Sequence, residues 1–360
     1  MKKVLISSYS LDYGGIEKSL INLLKNFNYD KYKVTLVLEK KEGVFLSDVP
    51  KNVIIKEYKI SKNKNPFIRK ISNLINRIKF IINNFHRYNA SICYATYSKP
   101  CGFVARCASL KSIIYVHSNY YQVFDRDKTK LKNYFNELKI NRFKKVIFVS
   151  NESKNDVCNI IHSIENKSVT INNLIDVKEM LELSKKRINE KKGKNKIVLF
   201  VGRLDESSKR VSIILEAAKK IKETNKKIIF WIIGSGPDEK KYKSFVKKNK
   251  LDNVIFCGPK KNPYPYFRLC DCVILTSRYE GFPVVYNEAI VFNKPIITTI
   301  DATDDYISIK NRFGYIIKDD EVSDKLEEIL KKNDLSLEKV DFDSLNKKRI
   351  EALEMVMESK

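Results

Sequence analysis

Histidine occurs three times and tryptophan once in the 360 residues of this chain. With so few imidazoles and no His-Glu-x-x-His spacing, a zinc site is not expected. The seven cysteines are odd in number and include no Cys-x-x-Cys pair, the tightest spacing being Cys270-x-Cys272. They read as buried small hydrophobes of a reducing compartment, which argues against a disulfide or metal framework. Long apolar runs are missing as well. Runs such as IIFWII at 228–233 fall far short of the ~20 residues that a membrane-spanning helix needs. The opening MKKVLISSYS starts basic, but serines interrupt its apolar stretch and no cleavage-type site follows. The expectation is a soluble chain kept in the cytosol.

What is abundant is apolar bulk and positive charge. Apolar residues make up 43% of the chain and aromatics 11%, so real cores can form, and the length suits two domains. The net charge of +26 calls for an anionic partner: nucleic acid, an acidic membrane face or a phosphorylated substrate.

Strands are predicted at 2–9, 33–38, 91–95, 112–116 and 145–149, with helical stretches between them. A basic, irregular stretch at 185–196 (KKRINEKKGKNK) intervenes. The rhythm then restarts, with strands at 197–201, 228–233, 253–257, 272–276, 295–299 and 313–317 and a helix over 211–223. Continuous β-branched runs alternating with amphipathic helices indicate parallel sheets covered on both faces. The fold class is α/β, as two doubly wound, Rossmann-like domains. Their predicted bounds are 1–172, joined by a terminal helix at 345–360, and 173–344. Tandem domains of this kind commonly take ligands in a cleft at the carboxyl ends of their strands.

Three loops at such ends carry candidate chemistry. Gly14-Gly15 precedes the first helix, where bare backbone N–H groups can approach a phosphate, although a strand-to-helix turn alone also favours glycine. No Gly-x-Gly-x-x-Gly or Walker-type loop is present, which weakens nicotinamide and ATP-hydrolysing readings. Arg203 and Lys209 flank a loop leaving the first strand of the second domain. They suit a clamp on a departing diphosphate, or a solvated basic turn in a lysine-rich protein. Glu280 and Glu288 straddle Pro283 at a strand-to-helix junction, and the apolar neighbours of Glu288 make an unpaired charge there costly.

Taken in order, these segments resemble the retaining nucleotide-sugar glycosyltransferases of family 4, which have the GT-B fold and a Glu-x7-Glu motif. The likeness includes Gly14-Gly15, Tyr115-Val116-His117-Ser118, Ile171-Asn172-Asn173-Leu174-Ile175-Asp176, Gly202-Arg203-Leu204 with Lys209, Gly234-Ser235-Gly236-Pro237 and Lys261-Asn262-Pro263-Tyr264-Pro265-Tyr266. The resemblance implies that Arg203 and Lys209 hold the donor diphosphate, with Gly14 and Gly15 against the phosphates. Glu280, helped by backbone at Gly281 and Phe282, would bind the transferred sugar. Glu288 would bind the ribose, and backbone around Pro259 and Lys260 would meet the base. His117 would lie near the reacting carbon, the alternative being a packed histidine at a strand end. Arg210 stands where the family often has glycine. The tail helix would cross back onto the first domain. The reading finds no Asp-x-Asp metal motif, so metal-independent binding of a UDP- or GDP-linked donor is implied, with no other cofactor.

The acceptor side is legible in residues 51–87, with ten basic side chains against one acid, Glu57. Phe67, Ile71, Leu74, Ile75, Ile78, Ile81, Ile82 and Phe85 form a helical stripe beside that charge. Such a helix can lie on an anionic membrane or pack on the sheet. The compromise expected here is a stripe in the core with a basic rim facing lipid headgroups. The implied function is transfer of a sugar to a growing lipid-linked glycan, by a monomer peripheral to the inner face of the cell membrane. A transferase for a small cytosolic sugar, a GT-B-type epimerase and, remotely, a nucleic-acid-binding protein are the alternatives.

Overall fold

The computed structural model describes residues 1–280, 282–299, 312–332 and 338–359. The chain divides into two compact units. Unit 1 comprises Met1–Leu174 with Ser344–Lys360, and unit 2 comprises Ile175–Asp343.

The strands of unit 1 are β1 (Lys2–Ser8), β2 (Tyr32–Leu38), β3 (Ile54–Glu57), β4 (Ala90–Cys93), β5 (Ser112–Val116), β6 (Lys145–Phe148) and β7 (Ser168–Thr170). They form one parallel sheet in the order β3-β2-β1-β4-β5-β6-β7. The helices between them are α1 (Gly15–Lys25), α2 (Pro66–Asn84), α3 (Lys99–Ala108), α4 (Tyr120–Val123), α5 (Lys128–Glu137) and α6 (Asn151–Cys158). Unit 2 opens with α7 (Val177–Leu183). Its strands are β8 (Lys196–Val201), β9 (Ile228–Ile233), β10 (Val254–Gly258), β11 (Cys272–Leu275), β12 (Ile296–Thr298) and β13 (Gly314–Ile316). These form a second parallel sheet, ordered β10-β9-β8-β11-β12-β13. Its helices are α8 (Val211–Thr224), α9 (Glu239–Lys248), α10 (Tyr264–Leu269), α11 (Val284–Val291) and α12 (Val322–Lys332); α13 (Phe342–Glu358) then returns the chain to unit 1.

The central strands are apolar throughout because helices cover both faces, and Val4–Ile6 and Ile197–Leu199 are fully buried. Side-chain caps start the helices at Ser98, Asp127, Ser150 and Asp176, each accepting a backbone N–H of the first turn. The predicted strands all appear. Two further strands, β3 and β7, are short and lie at the sheet edges, where half-exposure removes the apolar continuity that marks a central strand. The tail helix packs where the resemblance implied. Lys31 meets Glu354 at 2.8 Å, Glu358 takes Lys2 and Lys31 at 2.9 Å, and Arg349 donates to the Asn173 carbonyl at 2.9 Å.

One expectation is overturned. The apolar stripe of α2 is not in the core. Asn65 caps the helix and Pro66 opens it. The face turned toward the domain carries Ser72, Asn73, Asn76, Phe80, Ile81 and Asn84. Asn73 accepts from Ser61 N at 2.7 Å, Asn76 donates to the Lys59 carbonyl at 3.0 Å, and Phe80 packs on Tyr58 and Phe103. These amides anchor the helix through hydrogen bonds that periodicity alone does not reveal. Phe67, Ile71, Leu74, Ile75, Ile78, Ile82 and Phe85 are left facing solvent, with Phe67 at 72% and Ile82 at 66% exposure.

Candidate active site

In each sheet the connection reverses direction at its first strand. β1 lies between β2 and β4, and β8 between β9 and β11. The carboxyl ends of β8 and β11 are therefore neighbours, and the loops leaving them must meet.

In unit 2 the glycines set that meeting. Gly234 has φ +142, and a Cβ there would come within 1.8 Å of the Gly202 carbonyl oxygen. A Cβ on Gly236 would lie 2.3 Å from the Leu204 oxygen. The loops after β8 and β9 can thus join through Gly202 N to Ile233 O and Leu204 N to Ser235 O, both at 3.0 Å. On the other side, Arg278 N donates to Ser208 O at 2.7 Å, and Thr276 Oγ1 donates to the Lys209 carbonyl at 2.9 Å.

Lys209 and Glu280 emerge from these adjoining loops and form an ion pair, with side-chain exposures of 22% and 12%. Glu280 also accepts from Ser277 Oγ at 2.6 Å. Arg203 stands apart, its side chain 70% exposed and its Nε 3.8 Å from Asp205. Glu288 is buried on α11, and the hydroxyl of Tyr264 hydrogen-bonds to it. Burial first, and the Glu288 charge second, push the Tyr264 phenol well above its usual range. Phe282 is buried beside the helix start, while Gly281 lies outside the described residues. Pro259 is exposed after β10; Lys260 sits 3.7 Å from Glu190 and over the Tyr266 ring.

Arg210 resolves its own oddity. It adopts φ +48, the left-handed region that favours glycine. Its guanidinium repays that strain by donating to Thr276 O and Thr299 Oγ1, both at 2.8 Å, and pairing with Asp319. It thereby fixes the end of β11 from which Glu280 springs.

In unit 1, Gly14 is extended, so its backbone alone does not demand glycine. The constraint is Glu17, whose Oε2 would lie 2.0 Å from a Cβ on Gly14. The Glu17 carboxylate folds back over Gly14 at the first turn of the helix that begins at Gly15, where an anion was expected. Burial raises its pKa, and Tyr97 Oη donates to it at 3.2 Å. His117, at the end of β5, is only 7% exposed, and neither ring nitrogen meets a partner in the protein. The ring stacks on Tyr115 at 4.7 Å and lies 4.3 Å from Tyr94. Burial lowers its pKa to about 3, so the imidazole is neutral near pH 7. It can exchange a hydrogen bond but brings no charge.

Sequence reasoning missed Glu17, Ser277 and Tyr264, which hold or mimic the named groups. Tyr264 stands within the segment Lys261–Tyr266 named above, and Ser277 lies two residues past the end of β11. The absence of an Asp-x-Asp spacing also needs correction, since Asp125-Arg126-Asp127 and Asp341-Phe342-Asp343 both have it. Asp127 is engaged as the α5 cap, accepting from Thr129 N and Lys130 N, and neither triplet stands at the carboxyl end of a strand. The spacing here is a helix-start feature. All seven cysteines are free.

Two parallel-sheet Rossmann-like units in tandem are the GT-B architecture. The sequence model for glycosyl transferases group 1 matches residues 182–341, and that for glycosyltransferase family 4 matches residues 13–179. The two matches together span most of both units, and the chain belongs to these glycosyltransferases. An uncharacterized glycosyltransferase of Methanocaldococcus jannaschii is 29% identical over 310 residues, covering 83% of this chain and 79% of that protein. The N-acetylgalactosamine-N,N'-diacetylbacillosaminyl-diphospho-undecaprenol 4-alpha-N-acetylgalactosaminyltransferase of Campylobacter jejuni is 23% identical over 311 residues, covering 83% and 81%. Among solved structures, Anabaena HepE in complex with UDP and glucose aligns with a TM-score of 0.77 at 18% identity. That alignment covers 98% of this chain and 100% of the other. At that identity the likeness is one of fold.

Two outcomes test these contacts. Arg210→Ala keeps the backbone strain and removes the latch, and should lower unfolding free energy by about 2–3 kcal/mol. Arg210→Gly should be milder by roughly 1 kcal/mol, because its backbone relaxes; urea melts of both compare them. His117 is neutral when folded but protonates below its ordinary value of 6.5 when unfolded, so its contribution is present above pH 6.5 and lost as pH falls toward 3. Between about pH 6.5 and 4.5 a His117→Phe variant should lose roughly 2 kcal/mol less stability than wild type, read from urea titrations at both values.

Proposed function

We propose that the chain is a retaining glycosyltransferase that moves a sugar from a UDP- or GDP-linked donor to a hydroxyl of a growing, lipid-linked glycan. Its setting would be the assembly of a capsule, exopolysaccharide or other surface polysaccharide, at the cytoplasmic face of the cell membrane. The observation that carries this reading is the Lys209–Glu280 pair, with Ser277, on adjoining strand-end loops. It sets a cation for a diphosphate beside a carboxylate for sugar hydroxyls. The names of relatives agree in class: one C. jejuni enzyme carries a diphospho-undecaprenol acceptor in its name.

In this reading unit 2 binds the donor. Lys209 turns from Glu280 toward the diphosphate, and exposed Arg203 closes on it, so that charge developing on the leaving group meets two cations. Glu280, released from Lys209 and still oriented by Ser277, takes hydroxyls of the transferred sugar. Glu288, fixed by Tyr264, takes the ribose, and backbone near Pro259 and Lys260 meets the base. Donor binding needs no metal in this account. The glycosidic carbon parts from the phosphate oxygen while the acceptor oxygen attacks on the same face. The departing oxygen is then placed to take the acceptor proton. Unit 1 supplies the acceptor side, where His117 offers an uncharged hydrogen-bonding edge.

Two substitutions separate binding from turnover. Arg203→Ala should weaken nucleoside-diphosphate affinity at least about tenfold by calorimetry; unchanged affinity for both UDP and GDP would sink the assignment. Glu280→Ala should lose roughly a hundredfold or more in kcat with under about threefold change in nucleotide affinity. Near-normal transfer by that variant would make Glu280 peripheral. Lipid-linked and soluble acceptors, run side by side, test the acceptor class.

A further inference from the structure

Helix α2 is built inside out for a soluble domain. Its 19 residues span ~28 Å. At ~100° per residue, Phe67, Ile68, Ile71, Leu74, Ile75, Ile78 and Ile82 fall within an arc of about 120°. All are exposed, and Phe85 extends the row past the last turn. The opposite side holds the amides and Phe80 that bind the helix to the domain. A contiguous exposed row of this kind marks an interaction surface.

Charge identifies its occupant. Lys70 flanks one side of the row and Lys79 the other, with Lys62, Lys64 and Arg69 at the helix start and Arg87 beyond its end, while Arg77, on the Lys70 side, folds over the Phe103 ring. None of these seven has a carboxylate partner among the described residues. No aspartate or glutamate occurs between Glu57 and Asp125. Two copies facing each other would bring equal basic rims together, which disfavours self-association. An anionic bilayer satisfies both parts: headgroups meet the rim, and acyl chains take a row with no polar group to satisfy.

We infer that α2 lies flat in the membrane interface with its apolar row inserted among the acyl chains, while the flanking lysines and arginines reach up to anionic headgroups. This deepens the membrane-facing part of the proposed function and rests on it only for the reason to be there. It differs from attachment by charge alone, which salt within a Debye length of roughly 8 Å would screen. The amides on the inner face hold the row outward, so the surface is formed before lipid arrives.

The test uses the full chain carrying Ile78→Trp, since the native Trp231 is fully buried in unit 2 and gives a constant background. Vesicles are phosphatidylcholine alone or mixed with phosphatidylglycerol, with and without bromine on the acyl chains. The expected result is a blue shift and bromine quenching at position 78 with anionic vesicles, and quenching of the fraction that stays bound as salt rises. Replacing Ile71, Leu74, Ile78 and Ile82 by Gln should cut the partition coefficient at least about tenfold. That variant should unfold at or above the wild-type temperature, because the row faces water. Replacing Lys62, Lys64, Arg69 and Lys70 by Gln should remove the preference for anionic lipid. Binding without quenching overturns insertion and leaves attachment by charge. A blue shift without vesicles at rising protein concentration overturns it in favour of a second copy, and a destabilised Gln variant overturns the outward row. Retained transfer to a soluble acceptor with no vesicle binding would sink the insertion and leave the transferase reading standing. Normal insertion with no transfer to any acceptor would do the reverse.

Discussion

The adjacency of β8 and β11 governs the candidate site of unit 2. Because these strands pair in parallel, their carboxyl-end loops share one edge of the sheet, and Lys209 is brought to Glu280 across 71 residues of chain. The pairing depends on several supports at once. Gly234 and Gly236 let the neighbouring loop approach, Thr276 holds the Lys209 and Arg210 carbonyls, and Arg210 ties the loop to Thr299 and Asp319. A partly buried ion pair contributes little net stability once desolvation is counted. Its significance is positional: it holds two groups of opposite charge together at adjoining strand ends.

Unit 1 follows a different electrostatic plan. Its strand ends gather Tyr94, Tyr97, Tyr115 and His117, and burial keeps the histidine neutral. Even the carboxylates there are shifted toward protonation, Glu17 by burial and Glu39 likewise, despite hydrogen bonds that oppose it. The two units thus differ in charge, with Arg203 and Lys209 on the loops of unit 2 and neutral aromatic groups at the strand ends of unit 1.

The excess positive charge of the chain is local in its consequences. Along α2 it borders an apolar row that the domain declines to bury, and this combination carries information that +26 as a total does not. No helix among the described residues is long and apolar enough to cross a membrane. The exposure of the row makes it a surface feature, maintained by Asn73, Asn76 and Phe80 on the other side of the helix.

The sequence by itself determined the two α/β units and every central strand, because buried parallel strands must be apolar on both faces. It also located the loops bearing Arg203, Lys209, Glu280 and Glu288, since strand-to-helix junctions are marked by glycine, proline and abrupt polarity. Edge strands β3 and β7 escaped it for want of that apolar signal. Only tertiary structure decided that Lys209 and Glu280 touch, that Ser277 and Tyr264 orient the two glutamates, and that Glu17 covers Gly14. These depend on contacts distant in the chain, or on a side chain doubling back, and periodicity is silent about both. The direction in which α2 faces was likewise beyond the pattern. A helical stripe specifies that one face is apolar, but whether that face meets a core or water depends on whether the opposite side has hydrogen-bonding partners, and here the Ser61 N–H and the Lys59 carbonyl supply them.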